Sequence, residues 1–482
     1  MRFYVFFSVH ERLFHPVMEQ MTRRYGVREL GGFVWGADQE DFLRSTGATY
    51  DPLHVFSRDV EARLDDAPSP DLEFLREREQ RYGVSLHRML WSERHLLQGR
   101  TYAQALQLCE ALFRLVERSF DERRPDCIFS EDVSGLTSYI HHVVAKDRGI
   151  PFWRISSARM PGLLSVYDGG LQDWNLTRAK LDELLGRDLT ADERDAAAAF
   201  VNEFREAPSR PTGMEVRSKL PVASENDFRR LVSASRRFYR DPGNPTLSSP
   251  GRMLGQRAVR LTRNRAADTL GLFDAPVEGE PYVLFPIHFQ PEASTLVQAP
   301  YYLNQEALIE DISKSLPVGH RLYVKEHLTN RGRRPLDFYK HIKKTFGVRL
   351  LGPDADTWSL IQNAAAIAVI TGTMGWEGIL FKKPVVTFGE VFFNMYPSVY
   401  RAGREPKDRW YQIFDEAIHR HEHDEDQLLK LVSAIQQTSK PGFMKNPSTF
   451  PDVMEPDNVA KVADALAWGL GLPAPQDPLG PV

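Results

Sequence analysis

The run Thr371-Gly372-Thr373-Met374-Gly375-Trp376-Glu377 carries the sharpest chemical pattern in this sequence. Two glycines permit a tight turn and the close approach of a ligand. The threonines offer hydroxyls to a phosphate. A helix that begins there adds unbonded amides and a dipole favouring an anion. Glu377, one turn further on, is placed to accept hydrogen bonds from a ribose diol. The plainer reading is a strand-to-helix turn with a threonine cap. The turn lacks the lysine of a Walker P-loop, which argues against ATP hydrolysis of that type.

Three further groups follow strand-like segments. Lys325, Glu326 and His327 end one strand; a lysine can neutralise a leaving phosphate, and a histidine can donate a hydrogen bond or proton to it. Neighbouring strand residues point to opposite faces, so all three meet one ligand only where the strand has ended. His288, Gln290 and Glu292 form the next group, with His288 read as part of the strand and Glu292 in a loop beside Pro291. In the first half, Glu131 and Asp132 end a strand and are candidates for a base or nucleophile toward a sugar. An acid pair at a helix N-terminus explains them equally well. Arg154 and Arg159 lie near the end of the following strand, where they could hold an anionic sugar or acceptor. His141 and His142 read as structural. No metal centre is expected, and the mechanism is expected to be metal-independent.

The elements that must position these groups are legible from apolar periodicity. Residues 1–215 alternate strand and helix: strands near 3–9, 32–35, 126–132 and 150–155, helices near 101–120 and 135–148. Residues 276–450 repeat the plan, with strands near 282–289, 321–325, 348–351, 364–370 and 384–388. Helices lie between them, near 305–316, 336–345, 356–363 and 376–381. Strand, helix, strand implies right-handed parallel crossovers. In such open sheets ligands bind at the carboxyl ends of the strands, which is where the groups above fall. The Gly-x-Gly-x-x-Gly fingerprint of a dinucleotide domain is absent.

Residues 216–275 differ: between Phe228 and Arg265 there are ten arginines and one acid, Asp241. Asp241-Pro242-Gly243-Asn244-Pro245 splits the stretch into two helical pieces. This basic connecting segment is read as a solvated linker whose arginines pair with acids elsewhere, or as a surface for an anionic acceptor or membrane face. Residues 451–482 hold a last amphipathic helix, expected to return onto the first half, and a Pro-rich tail.

Length and composition set outer limits. A chain of 482 residues suggests two or three domains, and 42% hydrophobic with 26% charged residues is ordinary for a globular protein. The charge sum, 61 − 65 = −4, gives no global field for nucleic acid. Two cysteines, Cys109 and Cys127, exclude a disulfide scaffold and suit a reducing cytosol. A cytoplasmic protein, peripheral to the inner membrane if it touches lipid, is the expectation.

Four runs bear a family resemblance: Phe285-Pro286-Ile287-His288-Phe289-Gln290-Pro291-Glu292-Ala293-Ser294, Tyr323-Val324-Lys325-Glu326-His327, Ile370 to Glu377, and Lys383-Pro384-Val385-Val386-Thr387-Phe388-Gly389. Over about 280–400 the chain resembles the bacterial capsule polysaccharide biosynthesis proteins, a group that includes Kdo transferases. The resemblance implies a GT-B-like α/β fold, two Rossmann-like domains facing a cleft. It implies a metal-independent glycosyltransferase with no cofactor, the nucleotide-sugar (CMP-Kdo) being a substrate and a glycan or glycolipid the acceptor. His327 matches the family's phosphate-contacting histidine, although Leu328 stands where the family usually has proline. Thr371, Gly372 and Thr373 match the phosphate turn, and Glu377 the ribose-binding glutamate. Nothing in the first half matches, so Glu131 is placed by position alone. The alternatives are another donor (CMP-sialic acid, a UDP- or GDP-sugar, a polyol phosphate) or a non-catalytic scaffold that binds nucleotide-sugar or glycan.

Overall fold

A computed structural model of the chain describes residues 1–64, 68–169, 171–209, 225–447 and 450–473. The expected tail beyond 473 and the expected 215/216 boundary lie outside the described residues. Among the described residues thirteen strands form two sheets. The first has the order β13-β6-β5-β4-β1-β2-β3, from β1 (Arg2–Phe6), β2 (Glu29–Val34), β3 (Leu53–Val55), β4 (Cys127–Ser130), β5 (Phe152–Ser157), β6 (Leu163–Tyr167) and β13 (Ser439–Pro441). The second has the order β12-β11-β10-β7-β8-β9. Its strands are β7 (Tyr282–Pro286), β8 (Arg321–Lys325), β9 (Val348–Leu351), β10 (Ala366–Val369), β11 (Val385–Thr387) and β12 (Val399–Tyr400). The second sheet is parallel throughout and follows the doubly wound order outward from β7. The first repeats that order over β1 to β5 and adds two antiparallel strands, β6 and β13.

The apolar runs explain why these strands sit centrally. In β1, Phe3 and Val5 enter the core on one face while Tyr4 and Phe6 enter the core on the other. In β7, Val283 and Phe285 face one core, Tyr282 and Leu284 the other. A strand buried on both faces needs a continuous apolar run, which is what the sequence supplies. One face of the first sheet is covered by the helices Glu11–Tyr25 and Pro456–Gly469. The last helix thus returns onto the first half.

Two differences from the sequence reading have physical causes. The chain crosses back before residue 439, not near 450, because β13 completes the edge of the first sheet against β6. The preceding helix, Glu425–Thr438, packs Leu428, Leu431 and Ile435 into one core with Leu181, Leu184 and Val201 of the first half. Strand β7 also ends at Pro286, so His288 lies beyond the strand rather than in it. Proline has no amide to extend the ladder.

That core is shared by the two halves. It joins Met160, Tyr167 and Trp174 from the first half to Trp376, Ile379 and Phe392 from the second. Trp174 stacks on Phe392 with centroids 4.2 Å apart and planes 12° apart.

The basic segment forms two helices, Glu225–Arg240 and Pro250–Thr269. Arg237 and Arg240 pair with Asp38 and Asp41 on the helix Ala37–Ser45. Asp241 accepts from the Ala37 amide at 2.7 Å and the Ser57 hydroxyl at 3.0 Å. A Cβ on Gly36 would fall 2.3 Å from Asn244 Nδ2, so only glycine lets the turn seat this closely. These arginines thus follow the plainer reading, pairing with acids elsewhere. No helix among the described residues is long and apolar enough to cross a membrane.

Truncating the interdomain stack should be costly. Trp174→Ala is expected to lower stability by about 3–5 kcal/mol, the range for emptying a buried aromatic site. Urea unfolding checks this; a loss under about 1 kcal/mol would mean the halves are joined by other contacts.

Candidate active site

Two adjoining cavities open at the carboxyl ends of the parallel strands. The larger, about 660 Å³, lies mainly against the first half; the second, about 490 Å³, lies in the second half. They share Arg159, Glu292, Ser294 and Thr371, so they form one continuous site across the domain junction.

The second cavity is built on the helix Thr373–Leu380, capped by Gly372 in extended conformation. The Thr373 and Met374 amides precede the first intrahelical bond, while the Gly375 amide donates to the Gly372 carbonyl at 3.1 Å; Gly372, Thr373 and Met374 line the cavity. His288 is fixed behind this turn: its Nε2 accepts from the Thr371 amide at 3.2 Å, which places the ring proton on Nδ1. Burial first, then His327 and Arg334, depresses its pKa to about 3, so it stays neutral. His327 accepts at Nδ1 from the Thr329 amide at 3.2 Å. Its own proton therefore sits on Nε2, on the ring that lines the cavity. Glu377, buried on the same helix, lines the wall one turn in.

Lys325 and Glu326 serve this pocket from behind. Lys325 donates to the Pro353 carbonyl at 3.1 Å. Glu326 accepts from the His327 amide at 2.6 Å and from Asn330 at 2.9 Å. Burial raises its pKa, with Arg334 opposing. It shapes the His327 turn while lining the cavity. Thr371 donates its hydroxyl to the Ser294 carbonyl at 2.9 Å, so that hydroxyl proton is not offered to phosphate.

The first cavity holds the carboxylates. Glu131, about half-exposed to the cavity, meets buried His10 at 2.7 Å, Nε2 to Oε2. Burial disfavours charge on both, but their mutual attraction prevails. The His10 pKa is raised and that of Glu131 lowered, giving an ion pair. Asp132 differs: burial raises its pKa. Its Oδ1 accepts from the Val133 amide at 2.8 Å. Its Oδ2 accepts from Gln172 at 3.0 Å and from Gln298 of the other half at 3.4 Å. Glu292, at the seam of the two cavities, is likewise raised by burial. Arg94 enters the same wall.

The structure brings together Glu131, Asp132, His288, Glu292, Lys325, Glu326, His327, Thr371, Gly372, Thr373, Glu377 and Arg159. Two expected residues fall elsewhere. Arg154 is fully buried, its guanidinium 4.6 Å from the Tyr167 ring and 3.7 Å from Asp132 Oδ1, so it holds Asp132 and not an acceptor. Gln290 turns away and donates to the Leu303 carbonyl at 2.9 Å. Arg159 gains weight instead. It lines both cavities and a third of about 230 Å³, and its backbone holds the left-handed φ of 62°, a strain that side chains accept mainly where surroundings fix it.

Sequence reasoning missed His10, Arg94 and Gln298. His10 directly follows the strand expected over 3–9, a few residues past the end of β1 at Phe6, so the strand-end rule used elsewhere would have found it. Arg94 and Gln298 come from loops far in sequence from Glu131 and carried no local signal. Asp354 and Asp356, and His419, His421 and His423, have spacings seen in metal sites. Asp354 instead pairs with Arg331, Asp356 caps a helix, and His423 pairs with Glu425. Among the described residues no three such groups converge.

Residues 274–411 match the family described as capsule polysaccharide biosynthesis protein. No curated protein matches the chain. Among solved structures, Thermosulfurimonas dismutans KpsC, beta Kdo 2,4 transferase, is 15% identical at a TM-score of 0.39, covering 71% of this chain and 88% of that one. The beta Kdo 2,7 transferase of the same protein is 12% identical at 0.37, covering 68% and 82%. S. aureus MnaA with UDP is 11% identical at 0.29, covering 98% and 97%.

The His10–Glu131 pair sets a pH signature. The contribution of His10 is full below its ordinary value of 6.5 and is lost as pH rises through its raised value. That of Glu131 is full above 4.5 and is lost as pH falls through its lowered value. The stability gap between the parent and His10→Gln should therefore be widest between about pH 4.5 and 6.5, on the order of 1 kcal/mol, and should narrow above. Thermal melts across pH 4–9 check this; a gap independent of pH would exclude the ion pair.

Proposed function

We propose that this chain is a glycosyltransferase of bacterial surface polysaccharide assembly. It moves a sugar from a nucleotide-activated donor to a glycan or glycolipid acceptor. The observation that carries the reading is the joined site: a helix N-terminus and a histidine with its proton on Nε2 in one cavity, an ionised carboxylate in the next. The family match over 274–411 covers the donor side of that site.

The donor's phosphate lies on the amides of Thr373 and Met374, with His327 Nε2–H donating to a phosphate oxygen and Glu377 accepting from ribose hydroxyls. The reacting sugar extends past Arg159 toward Glu131. Glu131 takes the proton of the acceptor hydroxyl as its oxygen bonds to the sugar carbon. The bond from that carbon to the phosphate oxygen breaks, and its electron pair leaves on the nucleotide. His10⁺ keeps Glu131 oriented and ionised before transfer. Charge on the leaving phosphate is met by helix amides, His327 and Arg159, so the reading is metal-independent. Walls from both halves limit water at the reacting carbon and thus donor hydrolysis. CMP-Kdo is the donor implied by the resemblance; a CMP-, UDP- or GDP-sugar of another kind fits the same phosphate site.

Melting with millimolar CMP, CDP, UDP, GDP, TDP and ADP tests the donor side. A ligand at about 100 times its Kd stabilises by ~2.7 kcal/mol. A CMP-selective shift supports a Kdo- or sialic-acid-type donor, and a diphosphate-selective shift replaces it. Glu131→Gln should cut turnover by about 10²–10⁴-fold while keeping the nucleotide shift. His327→Ala should shrink the shift. Full turnover in Glu131→Gln would sink the assignment, and binding without turnover in the parent would favour a scaffold.

A further inference from the structure

The Pro250–Thr269 helix is inside out. Its inner face carries Arg257, Arg260, Arg263 and Asn264 beside buried Ala267. Arg260 donates from Nε to the Arg331 carbonyl at 2.8 Å, and Arg263 to the Arg333 carbonyl at 2.9 Å. Gly332, at φ 69°, lies so close that a Cβ there would meet the Arg260 carbonyl oxygen at 2.1 Å. The arginines are thus spent inward, on the loop that follows His327. The outer face carries the apolar side chains. Leu254 is 54% exposed, Val259 44% and Leu261 38%, with exposed Ala258 between them. Leu254, Ala258, Leu261 and Arg265 follow i, i+4, i+7, i+11 and form one stripe. On the partner helix Tyr239 is 74% exposed.

From this reversed polarity we infer that the outer face of the two basic helices docks on an anionic lipid surface. Charge selects that occupant. Arg236 and Arg265 are exposed, and neither is paired to an acid among the described residues. The sole acid of the Pro250–Thr269 helix is Asp268, in its last turn. A stable protein partner or second copy needs about 1,200 Å² or more of buried surface, which a stripe of a few side chains on one helix and Tyr239 on the next does not supply. Shallow insertion of a few apolar groups, with cations above anionic headgroups, needs no more than this face offers.

Position gives the docking a use. The turn between the helices supplies Pro245 and Thr246 to the wall of the cavity that holds Glu131. A lipid-linked acceptor would pass from the membrane along the hairpin to that cavity. This use rests on the transferase reading; the docking does not.

Flotation of the full chain with vesicles tests it. Vesicles of 30% phosphatidylglycerol in phosphatidylcholine should carry the protein, and pure phosphatidylcholine should not. High salt should release it. Leu254→Glu with Leu261→Glu, and separately Arg236→Glu with Arg265→Glu, should each weaken binding by about 10-fold or more. Both pairs are solvent-exposed, and unchanged melting with and without nucleotide shows that the variants are folded. In a second readout, Tyr239→Trp should gain blue-shifted emission on the anionic vesicles. No flotation overturns the inference, as does flotation that survives both double variants. So does a concentration-dependent dimer abolished by the leucine variants, which would show that a second copy covers the face. Vesicle binding without any nucleotide shift would overturn the transferase reading alone, and the reverse result the docking alone.

Discussion

The stack of Trp174 on Phe392 fixes the distance between the two halves, and the site exists because of that distance. Each sheet alone would present half a pocket. The shared core around the stack seats the first half's β5–β6 turn against the Thr373–Leu380 helix. Arg159, on that turn, thereby reaches both cavities. Aromatic pairs hold specific geometries, so this junction sets orientation as well as contact. A hinge that opened freely here would have to expose much of an apolar core.

Within the joined site, charge is sorted by what lies behind each group. Glu131 and Asp132 are adjacent in sequence yet chemically distinct. Glu131 has a cation in contact and stays ionised, while at Asp132 burial outweighs Arg154, 3.7 Å away, and the amide donors, and raises its pKa. The two histidines of the second cavity are likewise sorted by backbone amides. One amide takes Nε2 of His288 and another takes Nδ1 of His327. One ring thereby becomes a spacer and the other a donor.

Much of this was legible in advance. The second sheet's strands were readable because each is a short apolar run between turn residues. The turn at Thr371–Glu377 was readable because glycine, threonine and a helix start coincide. Arg154 shows where such reading stops. An arginine near a strand end looks like a ligand group, but Tyr167 and Asp132 had already enclosed it. Gln290 failed for the same reason: its partner, the Leu303 carbonyl, belongs to a loop whose path only the fold reveals. The edge strand β13, three residues long, has too little sequence to show a period.

The sequence by itself determined the two wound sheets, the polar residues at their strand ends and the basic interruption between them. Those features follow from local periodicity and from residue type. Tertiary structure alone decided that His10 pairs with Glu131, that Arg159 spans the junction, and that the Pro250–Thr269 helix turns its arginines inward. Each of these depends on which surfaces meet. A side chain's charge state and facing are set by neighbours distant in the chain, and no local pattern encodes them.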